Sequence, residues 1–222
     1  MLPELSEEEA KIRIAKKIAS NLNDGDLVNL GIGIPQLVPR CLPEGVRLIL
    51  QTENGVINAG STEEKYDLRI IDAGGTPVRV LPGGALISSE LSFAIMRGGH
   101  VDATVLGALQ VDEEGNLANW MIPQVSVPGM GGAMDIAVGA KKVYVATRHF
   151  NKNGKSKLVR KCTLPLTGHG VTDVIVTEYC VIRSIYGRMV MTELADDTGL
   201  QDLLDRTEMN IYVSSHLRRE AF

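Results

Sequence analysis

Apolar positions switch between two spacings along this chain. Ile14, Ile18 and Leu22, with Ala15 and Ala19 beside them, recur at the three- and four-residue steps of one helix face. Ser6 followed three residues later by Glu9 supplies a capping box, so residues 6–22 are predicted to form an amphipathic helix, ended by Asn23-Asp24-Gly25-Asp26. Leu27-Val28-Asn29-Leu30 then reads as a short strand running into Gly31-Ile32-Gly33-Ile34-Pro35. There the glycines permit a tight turn and Pro35 suits the first position of a helix.

That strand-and-turn unit recurs at residues 46–51, at 78–81 before Pro82-Gly83-Gly84, and at 103–106 before Gly107. Residues 88–97 read as a helix, capped by Ser88 or Ser89 and closed by Gly98-Gly99. Residues 142–147 and 174–177 are apolar and β-branched, as buried strands are. Residues 179–185 and 188–193 flank Tyr186-Gly187 as a C-terminal β-hairpin, and 198–206 reads as a short helix. Strands alternating with helices imply an α/β fold with an open, largely parallel sheet flanked by helices. No repeat, low-complexity tract or Pro/Gly/Ser-rich linker divides the sequence, so residues 1–222 read as a single domain.

Composition narrows the function classes. A formal net charge of −4 argues against a nucleic-acid binder, which needs a basic face. One local asymmetry stands out: residues 141–161 hold eight Lys and Arg and no Asp or Glu, a stretch suited either to an anion or to solvent. Cys41, Cys162 and Cys180 lie far apart with no CxxC spacing, which speaks against a disulfide framework or a zinc site and fits a reducing cytoplasm. Ser6-Glu7-Glu8-Glu9 is unlike a secretory leader, and no stretch is long and apolar enough to span a bilayer.

For chemistry, Gln51-Thr52-Glu53-Asn54-Gly55 sets a carboxylate at the carboxyl end of a predicted strand, before a turn that Asn54-Gly55 supplies. Ligands of open α/β sheets bind at such ends. Two glycine-rich turns, Gly31-Ile32-Gly33 and Gly129-Met130-Gly131-Gly132, are expected after strands, where their N–H groups would meet an anion or a developing oxyanion. Neither completes a dinucleotide or Walker motif. His100, His149, His169 and His216 show no metal-like spacing and no pairing with a Ser or Cys nucleophile.

Taken in order, Leu30-Gly31-Ile32-Gly33-Ile34-Pro35, Gln51-Thr52-Glu53-Asn54-Gly55, Leu81-Pro82-Gly83 and the run from Ser92 through Gly98-Gly99-His100 resemble the B subunit of 3-oxoacid CoA-transferases. This is the class typified by succinyl-CoA:3-ketoacid CoA-transferase. Leu106-Gly107-Ala108-Leu109-Gln110-Val111, Leu117-Ala118-Asn119-Trp120-Met121-Ile122-Pro123, Gly129-Met130-Gly131-Gly132-Ala133-Met134-Asp135 and the segment from Lys161 through Gly168 extend the likeness. It runs from about residue 5 to residue 213. The family motif usually reads Ser-Glu-Asn-Gly; here Thr52 replaces the serine and keeps the hydroxyl.

The resemblance implies a CoA-transferase/sugar-isomerase-like scaffold and a ping-pong transfer of CoA through an acyl-glutamyl anhydride and a glutamyl-CoA thioester, with Glu53 as nucleophile. It assigns Gly131 or Gly132 as backbone oxyanion donors, and Asn54 and Asn119 as polar contacts near the reacting end. It implies a hetero-oligomer with the family's A subunit, coenzyme A as substrate, and neither cofactor nor metal. Succinyl-CoA with acetoacetate is the leading pair of substrates, and butyrate or acetate with acetoacetyl-CoA the next. The remaining alternatives are an acyl-CoA hydrolase of the same fold and a noncatalytic domain that senses a small phosphorylated ligand.

Overall fold

A computed structural model of the chain describes residues 1–61, 67–125 and 129–222. Helix α1 (Glu7–Ala19) begins at the expected box: the Ser6 hydroxyl accepts from the Glu9 N–H, and the Glu9 carboxylate accepts from the Ser6 N–H. Such a cap contributes about 1 kcal/mol. β1 (Leu27–Leu30), a 3₁₀ helix (Ile34–Cys41), β2 (Ile49–Thr52), β3 (Val56–Gly60) and β4 (Arg79–Leu86) precede α2 (Ser89–Arg97). β5 (Ala103–Leu106), β6 (Gln110–Asp112) and β7 (Leu117–Ala118) lead to α3 (Ala133–Gly139). β8 (Val143–Ala146), β9 (Leu158–Val159), β10 (Val174–Val176), β11 (Cys180–Ile185) and β12 (Arg188–Ala195) follow, then α4 (Leu200–Arg206) and β13 (Tyr212–Glu220).

Ten strands form one sheet in the order β13-β12-β11-β10-β8-β5-β1-β2-β3-β4, and β7-β6-β9 form a small second sheet. The run β10-β8-β5-β1-β2 is parallel throughout, so the carboxyl ends of these strands share one edge. Antiparallel β3 and β4 extend one side and the β11–β12 hairpin extends the other. Alternate residues of the central strands feed two cores. Ala103, Val105, Tyr144, Ala146, Val174 and Val176 pack with Ile14, Ile18 and Leu22 of the α1 segment. Leu106, Val143, Val145 and Ile175 pack with Met96 of α2, Ile136 of α3 and Leu117 and Leu158 of the small sheet. Each such buried branched side chain contributes about 1.5–3 kcal/mol, and burial on both faces explains why these strands read as unbroken apolar runs.

Two expectations are corrected, one falls outside the described residues, and one strand is added. The strand beginning near residue 78 does not turn at Pro82-Gly83-Gly84 but continues to Leu86; β4 lies at the sheet edge, where a residue without an N–H is tolerated. The strand expected at 46–51 starts at Ile49, just after the Pro43–Val46 turn and the bond from the Gly25 N–H to the Arg47 carbonyl. Gly129-Met130-Gly131-Gly132 leads into α3; the strand expected directly before it falls on residues outside the described ones, and the preceding described strand is β7. β13, which the sequence pattern did not announce, pairs parallel to β12 and closes that edge of the sheet. No helix among the described residues is long and apolar enough to cross a membrane.

Candidate active site

Glu53 sits half-buried immediately after β2, in the turn that joins it to antiparallel β3. The turn is held from within. The Thr52 hydroxyl donates to Asn54 Oδ1 at 2.5 Å and accepts from the Val56 N–H at 3.1 Å, while the Gly55 N–H returns to the Thr52 carbonyl at 3.0 Å. Both jobs need only a hydroxyl, so threonine serves as serine would. Gly55 has φ +113°, and a Cβ there would collide with the Ile87 carbonyl oxygen, so glycine is required. Asn54 Nδ2 donates to the Ile71 carbonyl at 2.8 Å, which commits this side chain to the turn.

The second glycine-rich segment arrives from far along the chain. α2 and α3 pack closely because Gly139 has no side chain; a Cβ there would strike the Met96 carbonyl. Arg97 Nε pairs with Asp135 Oδ1 at 2.6 Å across the same two helices. This arrangement presents Gly132, the residue before α3, to the Glu53 turn: a Cβ at Gly132 would lie 3.2 Å from Glu53 Cγ and 3.4 Å from Phe93 Cζ. Gly131 precedes it with φ +52°. Among the described residues, no acceptor takes the N–H of Gly131 or Gly132. Glu53 and Gly132 are therefore brought together.

Asn119 follows β7 on the small sheet. Its Oδ1 accepts from the Thr167 hydroxyl at 2.6 Å, and no hydrogen bond among the described residues joins it to the Glu53 turn. The basic stretch is partly consumed by the protein itself: Lys141 pairs with Asp102, Arg148 with Glu178, and Arg160 donates to the Glu208 carbonyl. Lys157 donates to the Ala108 carbonyl and the Thr147 hydroxyl, and burial lowers its pKa. Lys152, Lys155 and Lys161 remain exposed. Burial, with Asp112 adding to it, pushes the Cys162 thiol up to about 12, and burial pushes Cys180 to about 12, so neither is a thiolate near neutrality.

Three residues that sequence reasoning passed over complete the surroundings. Asn29 of β1, only 4% exposed, donates from Nδ2 to the Gln51 carbonyl at 3.2 Å and to Glu53 Oε2 at 3.4 Å. Gln51 Nε2 donates to the Ser92 hydroxyl at 2.7 Å, and that hydroxyl donates to the Thr52 carbonyl at 3.2 Å. These bonds tie β1, β2 and α2 together beneath the carboxylate. The available signal was a polar residue inside a strand predicted to be buried, since an amide there is costly unless it is partnered.

A parallel sheet with a carboxylate at a strand's carboxyl end, packed against a glycine turn from far along the chain, makes an α/β fold with a candidate site at the carboxyl edge of the sheet. The chain belongs to the coenzyme A transferase family, which it matches over residues 11–198. It is 48% identical over 212 residues to the beta subunit of the acetate CoA-transferase of Escherichia coli K12, covering 96% of this chain and 98% of that one. To the corresponding subunit of the probable succinyl-CoA:3-ketoacid coenzyme A transferase of Bacillus subtilis it is 43% identical over 208 residues, 93% of this chain and 96% of the other. Among solved structures, an acyl-CoA transferase apoenzyme from Escherichia coli O157:H7 superposes with a TM-score of 0.78 at 20% identity, over 99% of this chain. This chain spans 44% of that protein, and the likeness concerns the fold.

Proposed function

We propose that this chain is the carboxylate-bearing B subunit of a hetero-oligomeric CoA-transferase that moves CoA from an acyl-CoA such as succinyl-CoA to a 3-oxoacid such as acetoacetate. The observation that carries the reading is the contact between Glu53 and Gly132. Glu53 attacks the thioester carbonyl, expelling CoA thiolate and leaving an acyl-glutamyl anhydride. The thiolate attacks the glutamyl carbon, releases the acid, and leaves a glutamyl-CoA thioester that a second acid resolves by the reverse steps. Anhydride and thioester are close in energy to the substrate thioester, so the cycle needs no cofactor or metal, and CoA is a substrate.

A carboxylate is a weak nucleophile, so preset donors must stabilise the tetrahedral oxyanion; the N–H of Gly131 or Gly132 fills that role, and one such donor is worth about 3 kcal/mol. Asn54 acts by holding the turn, and Asn119 by a polar contact along the bound thioester. The family's A subunit, as partner, completes the site and shields both covalent intermediates from water. Ile32, Leu86, Leu91 and Met130, on segments that build the site, are 74%, 61%, 51% and 42% exposed, apolar surface suited to that partner. The 48% identity to a protein named as the beta chain of an acetate CoA-transferase favours acetate as the second acid to try.

The test is to give the assembled enzyme an acyl-CoA without an acceptor acid and then borohydride, which reduces a glutamyl thioester to an alcohol and spares a free carboxylate. Peptide mass analysis is expected to place the change at Glu53 only after acyl-CoA has been added. A label on Glu90 or another carboxylate, or full exchange by this chain without its partner, would overturn the reading.

A further inference from the structure

In the proposed cycle Glu53 is in turn a carboxylate, an anhydride and a thioester, while its backbone must stay at one distance from the Gly132 turn. The last peptide of β2, between Thr52 and Glu53, sets the direction in which that side chain leaves the strand. Its carbonyl oxygen accepts from the Gly55 N–H at 3.0 Å, within the turn, and from the Ser92 hydroxyl at 3.2 Å, far along the chain.

We infer that Ser92 is a positioning residue for Glu53, an inference that rests on Glu53 being the nucleophile. Ser92 lies inside α2 and is 0% exposed. A serine at such a position ordinarily bonds back to the carbonyl one turn earlier, and an alanine there favours the helix and buries no hydroxyl. Here the hydroxyl turns away from its own helix toward β2. Its rotation is fixed by Gln51, 2% exposed, whose Nε2 donates to the Ser92 oxygen at 2.7 Å, so the hydroxyl proton is left to the Thr52 carbonyl. Gln51 and Thr52 are consecutive, so both contacts fall on the end of the strand that carries the carboxylate.

The same helix holds the opposite side of the site. Phe93, next to Ser92, lies against Gly132: a Cβ on that glycine would sit 3.4 Å from Phe93 Cζ. Further along α2, the Met96 carbonyl packs against Gly139 of α3, and Arg97 pairs with Asp135. α2 therefore meets the nucleophile's main chain through Ser92 and the glycine turn through Phe93, and it fixes the spacing between them. Ser92 acts not on the reacting atoms but through the direction of the Thr52–Glu53 peptide, where a displacement of an ångström at the carboxylate costs about 100-fold in rate.

The assembled enzyme carrying Ser92→Ala tests this, with the borohydride-trapped thioester on Glu53 as the probe. At saturating acyl-CoA the rate of thioester formation is expected to fall about 10- to 100-fold, with the acyl-CoA concentration at half-saturation within about twofold of the unmodified enzyme's. Joined to Gly132→Val, Ser92→Ala should cost less than about threefold more, because the spacing that it guards is already lost. A serine that only joined helix to sheet would give neither the split nor the coupling. If Ser92→Ala does not fold, Ser92→Cys, which fills the space with a much weaker donor, is read by the same two measurements. A rate within about threefold of the unmodified enzyme's, or losses that multiply in the double variant, overturns the role of Ser92 alone. An unmodified enzyme that forms no thioester on Glu53 overturns the parent reading, and this inference with it.

Discussion

Two carboxylates, Glu53 and Glu193, show how the same side chain is prepared for opposite ends. Glu193 lies on β12, 1% exposed, with Lys17 at 2.5 Å, Arg183 at 2.9 Å and Arg218 at 2.7 Å. Lys17 also pairs with Glu220 at 2.6 Å, so α1, β11, β12 and β13 meet in one ionic knot. Glu53 is half-buried, receives one amide donor at 3.4 Å, and has no ion pair among the described residues. Cations close around Glu193 and lock it; around Glu53 the neighbours are neutral amides and a glycine. The nucleophilic role proposed for Glu53 fits this difference, because three cations held against a carboxylate would lower its nucleophilicity.

The contrast predicts opposite mutant behaviour. Glu53→Gln should reduce exchange by at least about 10⁴-fold, as loss of a covalent nucleophile does, while urea unfolding moves little because the side chain is half-exposed and unpaired. A variant that keeps near-normal exchange would end the comparison. Glu193→Gln should do the reverse: it strips the charge from a buried network, at a cost of about 3 kcal/mol in unfolding free energy. The figure sits at the lower end of the usual range because Lys17 keeps Glu220 and Arg183 keeps Asn21 Oδ1. Exchange per folded molecule should be unaltered, and a large loss of turnover with unchanged stability would contradict the structural role.

Gly132→Val probes the boundary between the two behaviours. Gly132 has φ −83°, so its backbone accepts a side chain, but a branched one must displace Glu53 and Phe93. Turnover should fall by about 100-fold, the usual cost of misplacing a reacting group by an ångström, with the melting temperature nearly constant. Unchanged turnover would remove the Gly132 contact from the mechanism.

What the sequence made legible was local. The Ser6–Glu9 box, the apolar strand runs, the helix capped by Ser88, the hairpin at Tyr186-Gly187 and the Glu53-Asn54-Gly55 turn are each set by residues within a few positions of one another. What escaped depends on partners distant in the chain. β13 is exposed along most of its length and lacks an apolar alternation; only its pairing to β12 makes it a strand. Asn29 reads as an ordinary polar residue until the register of β1 on β2 carries Gln51 and Glu53 alongside it. Lys17 has the spacing of a solvated helix residue, and its burial follows only from Glu193 and Glu220 on the far strands. The glycine segment was recognisable as a tight turn, but its contact with Glu53 depends on how α3 packs against α2.

Acid titration should separate a third buried group from these two. His149 is fully buried, with Nε2 at 2.9 Å from the Thr207 hydroxyl and Nδ1 at 3.3 Å from the Thr177 hydroxyl. Thr207 donates its own proton to the Leu203 carbonyl at 2.6 Å, so it accepts from Nε2–H, which leaves Nδ1 as the unprotonated nitrogen. A second ring proton would point at Thr177 Oγ1, which already accepts from the N–H groups of Tyr179 and Cys180. Burial, with the nearby Arg206 charge adding to it, lowers the pKa of His149 to about 3. Glu178 faces the His149 backbone N–H, and its charge is already shared with Arg148. The unfolded chain takes up this proton near pH 6.5 and the folded chain does not, so stability is full above that pH and falls as pH drops toward about 3. Between pH 6.5 and 5 the loss should be about 2 kcal/mol. Glu193 acts in a lower window. Burial raises its pKa but Lys17, Arg183 and Arg218 outweigh that, so its contribution is lost only as pH falls below about 4.3 and through its depressed pKa. Urea unfolding of the unmodified chain should therefore show a slope in the pH 5–6.5 range that His149→Gln, neutral throughout, removes while leaving the steeper acid limb in place. An identical slope in both proteins would mean that His149 is not the group that titrates.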